Sequence, residues 1–291
     1  MTAAVHPLLR VDNVSQCYGP GCSRCSTATG PSKNRNLCPH CHTVWACREI
    51  SFDLYAGEVL GIVGESGSGK SSLLRLLNFD SRPTAGRMLL HLNGRGGAAL
   101  SAADLEGRDC FQLSAFQKRQ LRNTVLGIVY QHPHLGLRMN ISAGGNIAER
   151  LLMADWRNVQ KIRERAGDLL TRTEVPLDRM DHAPRLFSGG MQQRVQIAKA
   201  LCSQPALLLL DEVTTGLDVS VQARVLDLIR SLQAELNPAT IVVSHDLGVI
   251  RMLTTRTLVM KNGGIVEAGL TDQVLEDPQH AYTQLLVSSA L

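Results

Sequence analysis

Aromatic side chains are scarce. Two Trp, four Tyr and five Phe make up 4% of 291 residues, too few for a platform on which nucleic-acid bases could stack. An excess of one charge is also missing. Thirty Lys and Arg against 26 Asp and Glu leave a formal net charge of +4, well short of the basic stripe that tracks a phosphate backbone. No nucleic-acid partner is expected. Long apolar runs are absent as well: nothing approaches the roughly 20 residues that span a bilayer, so membrane association would have to run through a partner. Met1-Thr2-Ala3-Ala4-Val5-His6 has neither the charged start nor the apolar core of a signal peptide. These absences point to a cytoplasmic protein. In that reducing compartment the eight cysteines argue for metal binding or plain burial, not disulfides. What remains is an ordinary globular composition, 44% hydrophobic and 19% charged, long enough for a full core in one large domain or a domain with a lobe.

The most informative stretch is Gly64-Glu65-Ser66-Gly67-Ser68-Gly69-Lys70-Ser71. It follows the apolar run Val59-Leu60-Gly61-Ile62-Val63 and leads into Ser72-Leu73-Leu74-Arg75-Leu76-Leu77. Strand, glycine loop and helix carry the full spacing of a phosphate-binding P-loop. Consecutive backbone N–H groups can point at a phosphate there, and the helix N-terminus adds its partial positive charge. Lys70 is placed to reach the β- and γ-phosphates, and the Ser71 hydroxyl to hold Mg²⁺.

A second stretch, residues 19–46, is rich in Gly, Ser, Asn, Cys and His and poor in aliphatic residues. It cannot build a hydrophobic core alone. Cys22-x-x-Cys25 and Cys38-x-x-Cys41 stand twelve residues apart. Each pair can place two thiolates on one tight knuckle, and two knuckles supply a tetrahedral S₄ site. A structural zinc ribbon is the preferred reading, with an iron–sulfur cluster or redox dithiols as alternatives. Four cysteine ligands leave no coordination position open, which argues against catalysis by such a metal. Cys17, His40, His42 and Cys47 lie near enough to be substitute ligands but read better as neighbours of the site.

The rest of the chain alternates strands and helices. Residues 8–15 read as a first strand ending near Tyr18, Glu49 to Leu54 as a second, and Arg87 to Leu92 as a strand closing on an Asn93-Gly94 turn. Arg95 to Asp109 is loop-like, Gln117 to Asn123 is expected as a short helix, and Leu126 to Tyr130 as a strand ending at Gln131. From 132 to 204 the periodicity is helical, with Ile162, Ala166, Leu169 and Leu170 on one face. This region reads as an inserted helical subdomain. Ala206 to Leu210 is a fully apolar run ending in Asp211-Glu212, as in a strand buried on both faces. Val221, Val225, Leu228, Leu232 and Leu236 form a helical stripe that stops at Asn237-Pro238, and Thr240 to Ser244 is a buried strand ending at His245. A largely parallel α/β sheet follows.

A P-loop with a distant apolar strand ending in two carboxylates already specifies a nucleotide and magnesium. Asp211 can hold Mg²⁺ through water, and Glu212 can accept a proton from the attacking water or orient it. Phe187-Ser188-Gly189-Gly190-Met191-Gln192-Gln193-Arg194 narrows the reading. Ser188 can cap a helix, and the glycines Gly189 and Gly190 let backbone amides approach an anion. Standing shortly before the Asp211-Glu212 strand, this octapeptide resembles the signature motif of ATP-binding cassette (ABC) ATPases.

That resemblance extends, in the family's order, over residues 8–270. It implies that Tyr18 is the adenine-stacking aromatic and that Gln131 contacts Mg²⁺ and the attacking water. Residues 215–218, ending at Asp218, would form the D-loop, and His245 would be the switch histidine that touches the γ-phosphate. It implies the P-loop ABC ATPase fold over residues 1–291: a mostly parallel sheet core, an antiparallel β subdomain, the helical subdomain 132–204 and a C-terminal helical tail 270–291. The cysteine-rich insert is additional. Three features depart from the family pattern: Phe187 and Met191 stand where Leu and Gln are usual, Val213 replaces a proline, and residues 19–46 interrupt the first hairpin.

Within the family, residues 142–151, 216–230 and 269–289 resemble the ATPases of carbon–phosphorus lyase systems. The ending Asp277 to Leu286 also resembles peptide and nickel importer ATPases. The resemblance implies ATP and Mg²⁺ as cofactors and a homodimer, or a heterodimer with a homologous subunit, that sandwiches ATP. It further implies docking on the soluble carbon–phosphorus lyase core complex. A membrane importer subunit and an ATP-gated scaffold with negligible turnover are the other readings.

Overall fold

The computed structural model describes residues 6–92 and 107–289. These fall into two compact units, one comprising 6–92, 107–113 and 241–289, the other 114–240. Each is built around its own strands.

The first unit opens with β1 (Leu9–Tyr18), which pairs antiparallel with β2 (Val44–Leu54) on one side and β4 (Ala85–Leu90) on the other. Alternation along β1 is imperfect because the ladder bulges. Its register shifts between Val11 and Val14 and again before Gln16, with Asn13 at φ 50° and Glu49 on the facing strand at φ 52°. An extra residue in a left-handed conformation turns the side chains beyond it to the other face. β2 begins at Val44, five residues earlier than Glu49, because the tail of β1 needs a partner: Gln16, Cys17 and Tyr18 pair with Cys47, Trp45 and Val44. The strand expected at Arg87 to Leu92 runs instead from Ala85 to Leu90, where β1 holds it. The Asn93-Gly94 turn and most of the loop expected after it lie outside the described residues.

The second sheet segment of this unit centres on β3 (Val59–Val63), an unbroken apolar run whose Leu60 and Ile62 are fully buried. Burial on both faces explains the missing alternation. β3 runs into the P-loop and then the helix Lys70–Leu77, which buries Leu73, Leu74, Leu76 and Leu77. Parallel to β3 lies β8 (Arg256–Lys261), and β9 (Gly264–Leu270) folds back on it antiparallel. Asn262 at φ 46° and Gly263 at φ 82° form the two-residue turn of this hairpin, the conformation for which Asn-Gly is best suited. Helices Thr271–Glu276 and Ala281–Ser288 complete the unit.

In the second unit, β5 (Leu126–Val129) and β6 (Leu207–Asp211) pair in parallel, Val129 opposite Leu210. The helix Ala115–Thr124 starts on a capping box between Ser114 and Gln117. Helices Ala143–Met153, Val159–Arg172 and Gly189–Leu201 follow, capped by Ser142, Asn158 and Ser188. Ile162, Ala166, Leu169 and Leu170 form the buried face of the second. The helix Val219–Leu236 buries Val225, Leu228 and Leu232 and ends at Asn237, left-handed at φ 48°, before Pro238. The strand β7 (Ala239–Val243) begins in this unit and finishes in the first, where the helix Leu247–Leu253 follows it. Among the described residues no helix is long and apolar enough to cross a membrane.

The P-loop turn depends on a close backbone approach. Gly69 has φ 110°, and a Cβ there would sit 2.0 Å from the Ala46 carbonyl oxygen. Backbone strain of this kind costs ~1–3 kcal/mol before the clash is counted. Gly69→Ala is expected to lower the thermal unfolding midpoint by several degrees; an unchanged midpoint would contradict the packing described.

Candidate functional site

Sequence spacing makes the P-loop a turn, and the local hydrogen bonds show how it is held. Gly64, Gly67 and Gly69 have φ 149°, 80° and 110°, conformations that side chains resist. The Lys70 ammonium, 5% exposed, donates to the carbonyl oxygens of Gly64 at 2.6 Å and Glu65 at 2.9 Å and to Ser68 Oγ at 3.5 Å. A buried cation thus sits over the loop, where it can also meet a phosphate oxygen. Ser71 and Ser72 lie in the first turn of the following helix.

The outer edge of the loop is held by groups distant in sequence. The Glu65 N–H donates to the Tyr282 hydroxyl at 3.0 Å. Tyr282 is buried against the loop, its ring 4.7 Å below the Lys261 ammonium, and burial raises its hydroxyl pKa. Gly263 N–H donates to the Ser68 carbonyl at 2.9 Å, and the Cys47 thiol, pushed up to about 12 by burial, lies 3.6 Å from the Gly69 carbonyl. Asn36, from the cysteine-rich stretch, donates to the Gly67 carbonyl at 3.3 Å. Asn34, Asn36, Glu65 to Ser68, Lys261, Asn262 and Tyr282 enclose a polar cleft of about 350 Å³. Tyr18 ends β1, 48% exposed, free to present its ring to a planar group. His245 follows β7, ahead of Asp246, whose carboxylate caps the helix Leu247–Leu253.

In the same unit, Cys22, Cys25, Cys38 and Cys41 offer four Sγ atoms within 4.8 Å of one another. Three of the separations are 3.7 Å (Cys22–Cys25), 3.8 Å (Cys22–Cys38) and 3.4 Å (Cys25–Cys41). A tetrahedron with Zn–S bonds of about 2.3 Å has edges of about 3.8 Å, so the spacing fits one thiophilic ion. It is far too long for a disulfide. The thiols do not titrate alike. Hydrogen bonds from Thr43 pull Cys41 down to about 6, while partial desolvation by its neighbours pushes the exposed Cys22 up to about 11. Crowded thiols resist joint ionisation, and a divalent cation would relieve that. Cys17 and Cys47 stand outside the group on β1 and β2.

The second unit holds the remaining candidates. Val129 and Leu210 are register partners on parallel strands, so the chain two residues beyond each emerges at the same sheet end. That brings Gln131 beside Glu212: Gln131 Nε2 donates to Glu212 Oε2 at 3.1 Å, and Thr215 Oγ1 reaches the same oxygen at 3.3 Å. Glu212 is left-handed at φ 44°, a conformation that non-glycine residues keep only where their surroundings impose it. Asp211 closes β6 just before it. Val213, in the position of the usual proline, is 3% exposed, and Phe187 is 7% exposed, so both departures from the family pattern are absorbed as core packing.

Ser188 Oγ accepts from the Met191 N–H at 3.4 Å, setting the start of the helix Gly189–Leu201. A Cβ on Gly190 would meet Val221 Cγ1 at 2.6 Å, so glycine there lets this helix approach the one that Asp218 opens. Sequence reasoning overlooked two residues of the same helix. Gln193 and Gln196 are buried, and Gln196 brackets the backbone of Tyr130, accepting from its N–H at 2.8 Å and donating to its carbonyl at 3.0 Å. Gln193 Nε2 lies 3.4 Å from the same carbonyl. Polar residues on a face that should be apolar were the available signal. Tyr282 and the Asn262-Gly263 hairpin also went unread, although Asn-Gly between apolar stretches marks such a turn.

Residues 47–215 match the ABC transporter family. The chain is 48% identical over 285 residues, 98% of each chain, to the putative phosphonates utilization ATP-binding protein PhnK of Escherichia coli K12. A putative peptide import ATP-binding protein of Brucella abortus is 38% identical over 84% of this chain and 71% of its own length. Among solved structures, the dimeric post-hydrolysis state of the ATP-binding cassette MJ0796 with ADP and Pi superposes with TM-score 0.72 at 24% identity, covering 90% of this chain and 98% of that one. The cassette cbiO1 of Clostridium perfringens gives 0.71 at 25% identity over 94% and 92%. With the motifs, the fold and these likenesses in agreement, the chain belongs to the ABC transporter family and is an ABC-type ATPase.

Proposed function

We propose that the chain is the ATP-hydrolysing subunit of a carbon–phosphorus lyase system, coupling nucleotide-driven dimer closure to phosphonate breakdown by a soluble lyase core. The observation that carries this is the 48% identity over 98% of both chains to a phosphonates utilization ATP-binding protein. Peptide-import relatives match less of the chain and at lower identity.

Each residue has a role in this reading. Tyr18 stacks on adenine. The amides of residues 64–72 and the Lys70 ammonium bind the phosphates, with Lys70 exchanging its carbonyl partners for phosphate oxygens. Ser71, Gln131 and Asp211 hold Mg²⁺, which would neutralise charge on the phosphates. Glu212 accepts the proton of the attacking water, Gln131 orients that water, and His245 donates to the γ-phosphate. The hydrogen bond between Gln131 and Glu212 supports the pairing of these two groups. Ser188, Gly189, Gly190 and Asp218 face the nucleotide of a second copy or a homologous partner. ATP therefore closes the pair, and hydrolysis with loss of phosphate reopens it. The four cysteines hold a structural zinc ion, whose binding energy orders a segment that has no apolar core.

Three outcomes follow. Glu212→Gln should keep ATP binding while phosphate release falls by about 10² or more, the usual worth of a general base; wild-type release in a steady-state assay would remove that role. Purified protein should carry one zinc ion per chain by elemental analysis, and Cys38→Ser should release it. Affinity purification should bring down soluble phosphonate-metabolising subunits. Recovery with an integral membrane protein would favour a peptide-type importer instead.

A further inference from the structure

The cysteine-rich stretch touches the P-loop, and nothing in the hydrolysis chemistry requires it to. Among residues 19–43 the buried side chains are those of Cys25, Thr29, Cys38 and Thr43, while Leu37, the only large aliphatic, is 45% exposed. Two of the four buried groups are thus members of the thiol tetrad. Apolar burial contributes little to the folding of this segment, and its shape depends on whatever draws the four sulfurs together.

That shape is transmitted to the nucleotide loop through four contacts. Asn36, two residues before Cys38, donates from Nδ2 to the Gly67 carbonyl at 3.3 Å, while its own carbonyl accepts from Trp45 N–H at 2.8 Å. Pro31 packs on the β8–β9 hairpin, where a Cβ on Gly264 would meet its ring at 2.7 Å. That hairpin in turn grips the P-loop, Gly263 N–H donating to the Ser68 carbonyl at 2.9 Å, and Asn262 lies 3.5 Å from the Asn34 side chain. Arg48 ties the two together, its N–H donating to the Gly263 carbonyl at 2.7 Å and its guanidinium to the Thr29 carbonyl at 2.9 Å. Insert, hairpin and P-loop are one hydrogen-bonded stack within a single unit.

We propose that the insert is a metal-dependent clamp on the P-loop, with Asn36 as the positioning residue, so that metal occupancy of the four cysteines and nucleotide affinity are coupled. The inference rests on the zinc reading above. With the metal bound, the Gly67 peptide is fixed before nucleotide arrives, and little conformational entropy is lost on binding. With the metal removed, the segment carrying Asn36 loosens, and nucleotide must order the loop itself. Reciprocity requires that nucleotide tighten the metal by the same factor. The ATPase would thereby take up nucleotide more readily in chains that hold their thiophilic ion.

The test compares binding of Mg²⁺–adenylyl imidodiphosphate to zinc-loaded and chelator-stripped full-length protein, with folding followed by circular dichroism. Stripping is expected to weaken nucleotide binding about tenfold, within the usual range for coupled sites. Saturating nucleotide should tighten zinc, read by competition with a chromogenic chelator, by the same factor. Asn36→Ala, still holding one zinc per chain, should weaken nucleotide binding about threefold, as expected for one neutral hydrogen bond. Asn36→Gln, which keeps the donor, should recover part of that loss. Equal nucleotide affinity with and without zinc in folded protein overturns the clamp and leaves the metal site standing. Should stripped protein unfold, unchanged affinity in zinc-loaded Asn36→Ala overturns it instead. A chain that takes up no zinc overturns both the clamp and the zinc reading.

Discussion

The phosphate-binding loop exists because two glycines let backbone pass where a side chain cannot. Gly64 lies so close to the Met260 carbonyl that a Cβ would stand 2.2 Å from its oxygen, and Gly69 is equally tight against Ala46. Strands β2 and β8 therefore press on the loop from two directions. The loop's carbonyls are engaged, those of Gly64 and Glu65 by Lys70, that of Gly67 by Asn36 and that of Ser68 by the β8–β9 hairpin, so its peptide planes are fixed. Such preorganisation means that little reorganisation is required when an anion binds.

The local geometry of the site was legible in the sequence where it is contiguous. A P-loop needs its glycines, lysine and hydroxyl at fixed spacing, and Asp211-Glu212 needs only an apolar run before it, so both could be read from a few residues. Supports that come from afar could not. The Tyr282 hydroxyl meets the Glu65 amide across 217 positions, and Gln196 meets Tyr130 across 66; no local pattern announces either. The misplaced start of β2 has another cause. Trp45 and Ala46 fall at the end of the cysteine-rich stretch, and the left-handed Glu49 interrupts the alternation that would join them to the strand.

The cysteine-rich stretch illustrates how a foreign segment can be grafted onto an ABC ATPase. It enters after Tyr18 and leaves before Val44, two residues that pair directly across β1 and β2, so the host ladder closes beneath it. An insertion whose ends already touch adds little loop-closure entropy. Two of its four buried side chains belong to the cysteine tetrad, and none is aliphatic.

The paired glutamines beneath Tyr130 have a mechanical implication. Gln196 holds both the backbone donor and the backbone acceptor of Tyr130, the residue just before Gln131. The helix that begins at Ser188 and the strand exit that carries Gln131 are therefore geared. If the helix tilts to meet a neighbouring molecule, it pulls the Tyr130 backbone along and swings the amide that touches Glu212. A shift of this helix and a shift of the Gln131 amide beside Glu212 would then be a single movement.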